Sequence, residues 1–173
     1  MRRISAAVSC AAAALALLVT GAPGAQAVSA TETTAASAFV CSSSCLLGVR
    51  TGSHPDFDRL VIDVTEDGMP TVNHSVTADN SYGTPSGQDG HIEIPGKMYL
   101  HLNLFGTHTY DDNGALTYSS PRVVPVSLPS LKGVQLLTDY EGYVDFGLSL
   151  GDYSRYQVFT LKSPNRIVVD VYH

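Results

Sequence analysis

Three carboxylates are the first residues that could do chemistry. Asp56 and Asp58 lie close together, and Glu141 sits in the run Asp139-Tyr140-Glu141-Gly142-Tyr143. Two opposed carboxylates, one with a raised pKa, are the machinery of glycoside hydrolysis. The plainer reading is turn and strand-end acids, with Asp58 capping or pairing the adjacent Arg59. Hydrolysis through Asp56, Asp58 and Glu141 is therefore the lesser expectation, and no residue is assigned as catalytic. His54, His74, His91, His101 and His108 are scattered, and only His101 shares a strand face with another polar residue, Asn103. A zinc site would need three side chains from distant strands, so no metal is expected. There is no G-x-S-x-G elbow. There is no Gly-rich phosphate cradle, so no nucleotide and no other cofactor is expected. The stretch Asp111-Asp112-Asn113-Gly114 lacks the alternating acids and terminal Glu of a calcium loop and reads as a hairpin tip.

Tyrosine is the compositional lean, with nine Tyr against five Phe and no Trp. A tyrosine offers a flat apolar face and a hydroxyl, which suits a glycan or a protein surface. Tyr140, Tyr143, Tyr153 and Tyr156 gather around Glu141 in the sequence. Gly142 marks a tight hairpin or a bulge, and bulges re-aim side chains.

The elements that position these residues are short strands. Runs of β-branched and aromatic residues at 57–65, 71–78, 91–94, 98–105, 122–128, 134–138, 143–150, 156–162 and 165–172 are separated by Gly, Pro, Asn and Asp. No helical period lasts three turns. This spacing predicts an all-β fold, a β-sandwich of mainly antiparallel strands. Leu100, Leu102 and Leu104 fall on one face of their strand, with His101 and Asn103 on the other. Val144, Phe146, Leu148 and Leu150 alternate in the same way with Asp145, Gly147 and Ser149. Residues 80–90 form a polar loop.

The ends of this region echo one another: Arg59-Leu60-Val61-Ile62-Asp63-Val64 and Arg166-Ile167-Val168-Val169-Asp170-Val171. Antiparallel pairing with Val61 opposite Val168 puts Arg59 against Asp170 and Asp63 against Arg166. Such cross-strand pairs contribute about 0.2–1 kcal/mol each. These four charges are expected to be structural ion pairs.

Residues 1–27 have the order of parts of a secretory signal peptide: basic Arg2-Arg3, an Ala/Leu/Val-rich stretch, and Ala25-Gln26-Ala27 as the cleavage site. Cysteine 10 would leave with it. The expected product is secreted, with no stable membrane anchor after cleavage. Residues 28–45 read as a flexible Ser/Thr/Ala-rich leader, with the folded domain spanning 46–173. Cys41 and Cys45 are then the two remaining cysteines, and an even count in an exported chain reads as one disulfide. Acids outnumber bases 16 to 10. Loss of Arg2 and Arg3 leaves 16 against 8, a formal charge of −8. That excludes a nucleic-acid partner held by general phosphate attraction and disfavours an anionic lipid surface.

Two blocks together resemble the AMIN-like domain of secreted actinobacterial proteins. The first is Val49-Arg50-Thr51-Gly52-Ser53-His54-Pro55-Asp56-Phe57-Asp58-Arg59-Leu60-Val61. The second runs from Tyr140-Glu141-Gly142 to the final Arg166-Ile167-Val168-Val169-Asp170 strand. The resemblance implies a β-sandwich related to the AMIN domain, which targets envelope proteins to peptidoglycan. It departs in lacking a cysteine just after His54, an aromatic before the first block, and any Trp. What it implies is a non-enzymatic, cell-envelope-associated binding module whose partner is peptidoglycan or another wall polysaccharide. The residues expected to touch that ligand are His54, Asp58, Arg59, Tyr140, Glu141 and Tyr143. The alternative is an extracellular protein–protein interaction or inhibitor module. A shallow polar-aromatic groove favours the first, and an exposed apolar patch or rigid protruding loop the second.

Overall fold

The computed structural model describes residues 39–173, and every regular element among them is a strand. The elements are β1 (Ser44–Ser53), β2 (Phe57–Val64), β3 (Thr71–Thr77), β4 (Ser81–Gly83), β5 (Asp89–His91) and β6 (Met98–Phe105). They continue with β7 (Thr107–His108), β8 (Val123–Pro125), β9 (Leu131–Tyr140), β10 (Tyr143–Leu150), β11 (Arg155–Leu161) and β12 (Arg166–Tyr172). Sheet I runs β11-β12-β2-β1-β7 and sheet II runs β3-β6-β10-β9-β8. All pairings are antiparallel except the two-residue contact of β1 with β7.

The two sheets stack because each has one apolar face. Leu60, Ile62 and Val64 of β2 join Ile167, Val169 and Val171 of β12 on the inner side of sheet I. Leu100, Leu102 and Leu104 of β6 meet Val144, Phe146, Leu148 and Leu150 of β10 on the inner side of sheet II. Phe146 is fully buried, and truncation of such a side chain to Ala costs about 3–5 kcal/mol.

One polar clamp ties the sheets at the start of β2 and of β9. Asp58 is fully buried there. Its Oδ2 accepts the backbone N–H of Ser130 at 2.6 Å and of Leu131 at 3.0 Å, and its Oδ1 accepts the Ser53 hydroxyl at 3.0 Å. Buried donors left without this carboxylate would each cost about 1–3 kcal/mol.

The register of β2 on β12 places Val61 against Val168, Arg59 against Asp170 and Asp63 against Arg166. Arg59 and Asp170 form a two-pronged pair at 2.7 Å. The expected Asp63–Arg166 pair is not made. Asp63 is instead held by Arg50 of β1 through Nε and Nη2, each at 3.0 Å, while the Arg166 Nε donates to the Pro164 carbonyl at 3.2 Å.

Two further expectations change. The fold begins at Ser44, and Cys45 and Leu46 are buried, so the last part of the presumed leader is strand β1. A break in register between Leu46 and Gly48 disrupts its alternation. In the 91–94 run only His91 is in a strand, β5, which pairs with β4 inside the presumed 80–90 loop. Cys41 and Cys45 are disulfide-bonded. The expected signal peptide and most of the leader lie outside the described residues.

Candidate functional site

The outer face of sheet II is organised in rungs, because strand alternation sends every second side chain of four aligned strands outward. One rung is Asn73, Asn103, Asp145 and Thr138, from β3, β6, β10 and β9. Asp145 is fixed in it: Oδ1 accepts from Asn103 Nδ2 at 2.7 Å and Oδ2 from the Thr138 hydroxyl at 2.5 Å. On one side lies the rung Phe105, Tyr143 and Tyr140. The Phe105 and Tyr143 rings are 4.7 Å apart between centroids. All three are exposed, at 47%, 45% and 52%. With strands about 4.8 Å apart, the three form an aromatic ledge about 10 Å long. On the other side of the polar rung come Ser75 and His101.

Residues 80–96 cross this face. A register shift in β9 between the partners of Asp145 and Phe146 leaves Leu137 unpaired, and a bulge of this kind turns a side chain to the other face. Leu137 packs there with Ile92, Tyr99 and Tyr82. Gly147 makes room: a Cβ on it would lie 2.5 Å from Ile92 Cδ1. The segment is also held by polar contacts. Glu93 N–H donates to Gln135 Oε1 at 2.7 Å, and the Ser149 hydroxyl donates to the Ile94 carbonyl at 2.6 Å.

Between the β4–β5 hairpin and the sheet runs a groove. Its inner part, about 350 Å³, is lined by Ser75, Tyr82, His101, Leu137 and Asp145. Its outer part, about 340 Å³, lies among Thr84, Pro85, Thr138, Tyr140, Tyr143 and Asp145. His101 Nε2 is buried with no hydrogen-bond partner. Burial lowers the His101 pKa, against the weaker opposing pull of Asp145 and Asp79. The ring is therefore neutral at pH 7, with one donor and one acceptor nitrogen.

Tyr140, Glu141 and Tyr143 stand at the aromatic end of this face. Glu141 and Gly142 form the β9–β10 turn with φ of 50° and 80°, the left-handed pair that a two-residue hairpin turn requires. His54, Asp58 and Arg59 are elsewhere. His54 stacks on Phe57 at 4.4 Å and Arg59 holds Asp170, both at the outer side of sheet I. Asp58 faces the interior as the clamp between sheets, so it is withdrawn from the ligand-contacting set. The six expected residues thus form no single site. Asp58 binds the start of β9 and Glu141 follows its end, ten strand residues away, or about 30 Å. Asp58 and Glu141, two of the three carboxylates of the hydrolase reading, do not converge. Tyr153 and Tyr156 also leave the Glu141 cluster and pack against the core.

Asn73, Tyr82, His101, Asn103, Phe105 and Asp145 line this face and are not in the expected ligand-contacting set. Alternation along the sequence puts His101, Asn103 and Asp145 on outward faces, but only the register of β3, β6, β10 and β9 brings them together.

The profile of the AMIN-like domain matches residues 44–173. The chain belongs to the AMIN-like domain family. The match begins at the first residue of β1 and ends at the last residue of the chain, so the whole sandwich is the AMIN-like domain. Comparison with curated proteins gives no match to the sequence. Membership associates this AMIN-like domain with cell-envelope-related binding modules, which are in general non-catalytic.

Proposed function

We propose that this protein is an exported, non-enzymatic module that binds a cell-wall polysaccharide, peptidoglycan foremost, along the outer face of sheet II. The observation that carries the reading is the adjacency of two rungs, Phe105–Tyr143–Tyr140 and Asn73–Asn103–Asp145–Thr138. A pyranose ring has an apolar face and an equatorial rim of hydroxyls. The aromatic ledge takes the faces, and the polar rung takes the rim. Asp145 presents acceptor lone pairs already held in place by Asn103 and Thr138, so little freedom is lost on binding. His101 lines the inner part of the groove beside Ser75 and Tyr82. No hydrolytic step is assigned, because Glu141 lies at the opposite end of the sandwich from Asp58, and Asp58 is spent inside as the clamp between sheets.

The experiment is co-sedimentation with purified, protein-free cell wall at low and physiological salt. The protein is expected in the pellet under both conditions, since stacking and hydrogen bonds to uncharged sugar hydroxyls are only weakly screened. Retention in the supernatant at both salts contradicts the reading.

One observation favours the second reading, an extracellular protein–protein module. Val40, Tyr110 and Leu116 are exposed at 57%, 41% and 71%. They lie together, with Tyr110 bridged to Leu116 and the Val40 carbonyl accepting from Asp112 N–H. This patch is small, and it is remote from the polar-aromatic groove in chemistry. Capture of a partner that is lost on Leu116→Asp but kept on Tyr143→Ala would favour it.

A further inference from the structure

The first sequence block, Arg50 to Arg59, takes no part in the groove on sheet II. Its residues meet on the opposite sheet. Gly52 of β1 lies across from Arg59 of β2, and Arg50 lies across from Val61. A Cβ built on Gly52 would meet nothing within 4 Å. Where neighbouring positions carry side chains, this one leaves a dimple of about 140 Å³ lined by Arg50, Thr51, Gly52, His54, Arg59 and Val61.

We infer that this dimple binds a single oxyanion, a carboxylate or a phosphate. Three observations support it. First, both guanidiniums are held in place by only part of their donor sets. Arg50 gives Nε and Nη2 to Asp63 at 3.0 Å, and Arg59 gives Nε and Nη2 to Asp170 at 2.7 Å. Each fork has five N–H donors, so Nη1 and the second Nη2 hydrogen remain on both. The aspartates fix the rotamers in advance, which lowers the entropy cost of capturing an anion.

Second, charge is unevenly distributed. The outer face of sheet I carries Arg50, Arg59, Arg155 and Arg166 against Asp63 and Asp170, a formal +2 (four minus two). The whole chain is −6, so everything outside this face sums to −8. Among the described residues neither Arg155 nor Arg166 has a carboxylate partner. An approaching anion is repelled by most of the molecule and drawn to this face, whose unpaired cations, Arg155 and Arg166, lie outside the dimple and whose paired Arg50 and Arg59 line it.

Third, the aromatic rings of this face are already covered. The Arg59 guanidinium lies 4.9 Å above the Phe57 ring and the Arg155 guanidinium 3.4 Å above Tyr172. They offer no open platform for a neutral sugar, unlike the ledge on sheet II. This assignment does not depend on the polysaccharide reading of the groove.

The test is titration of the isotope-labelled full chain, followed by amide chemical shifts, with N-acetylmuramic acid as the carboxylate probe and glycerol 3-phosphate as the phosphate probe. N-acetylglucosamine and glycerol are the neutral controls. At least one charged probe is expected to shift the Gly52 and His54 amides saturably, with affinity in the millimolar range typical of one small group. The probe that saturates more tightly tells whether the dimple prefers a carboxylate or a phosphate. Gly52→Leu, which fills open space at an unstrained position, is expected to weaken that response at least about tenfold. Tyr143→Ala is expected to leave it unchanged. Gly52→Ala is the milder variant should the larger side chain disturb β1, with an intermediate loss expected. Absence of a saturable shift with either charged probe overturns the assignment. So does a response in both Gly52 variants equal to that of the unmodified protein, or a response from the neutral controls of the same size at Gly52.

Discussion

Tyr143 lies directly opposite Phe105 across β10 and β6, and their half-exposed rings are 4.7 Å apart. Large apolar rings held side by side in solvent need a reason, since a strand can carry polar residues on its outer face at no cost to the core. Tyr140 extends the row across the next strand. The ledge that results is rigid, because it rests on the shortest turn of sheet II.

Truncation of this ledge separates binding from folding. Tyr143→Ala and Tyr140→Ala remove exposed rings, so each should cost no more than about 1 kcal/mol of stability through lost cross-strand packing. Affinity for wall polysaccharide should fall about tenfold for each, the equivalent of about 1.4 kcal/mol. Thermal denaturation and binding isotherms on the same preparations check both halves.

Asp145→Ala leaves Asn103 Nδ2 and the Thr138 hydroxyl without their shared acceptor. A hydrogen bond to a charged group is worth about 1.5–3 kcal/mol. The variant should lose at least about tenfold in affinity. It should also show larger amide shifts in β6 and β9 than Tyr143→Ala does, because the rung itself is released.

Asp58→Ala should act on stability and not on the ligand. The carboxylate accepts two buried backbone N–H groups, and their loss together should cost about 3 kcal/mol. For a domain of this size that lowers the melting temperature by roughly 10 °C. Below that transition, wall binding should match the unmodified protein. A specific loss of binding with unchanged melting would return Asp58 to the ligand-contacting set.

His101 sets a pH dependence. Burial lowers its pKa in the folded state below the ordinary value near 6.5. The unfolded chain therefore binds a proton at a higher pH than the folded one does. Stability is full above about pH 6.5 and falls as the pH drops from there toward the folded-state pKa. Acid titration of the melting temperature should show this decline, and His101→Gln should flatten that part of the profile.

Gly147→Ala tests how residues 80–96 are held. The added methyl would sit 2.5 Å from the Ile92 side chain, so Ile92 must shift and loosen the segment that walls the groove. Amide exchange should rise in residues 80–96 while the inner strands stay protected.

Much of this architecture was legible from local pattern. The alternation in β6 and β10 assigned their inner and outer faces, because a period of two survives wherever one face is buried. The matching Arg–Asp strands gave the register of β2 on β12, and with it the opposition of Arg59 and Asp170. The partner of Asp63 was not legible. Arg50 lies on β1, whose two glycines and register shift hide its strand character. The candidate site was only half legible for a related reason. His54, Asp58 and Arg59 are near one another in sequence, as are Tyr140, Glu141 and Tyr143, but nothing local states which sheet or which end each group occupies. The groove depends on four strands brought into register over seventy residues, and on a bulge at Leu137 that no composition signals.

The most direct measurement is co-sedimentation with purified cell wall of the full chain beside its Tyr140→Ala/Tyr143→Ala double variant, with folding of both verified by melting. The account predicts that the unmodified protein pellets with the wall at physiological salt and that the double variant, equally folded, stays in solution. Equal pelleting of the two proteins would contradict it, since the wall would then be held by a surface other than the aromatic ledge of sheet II.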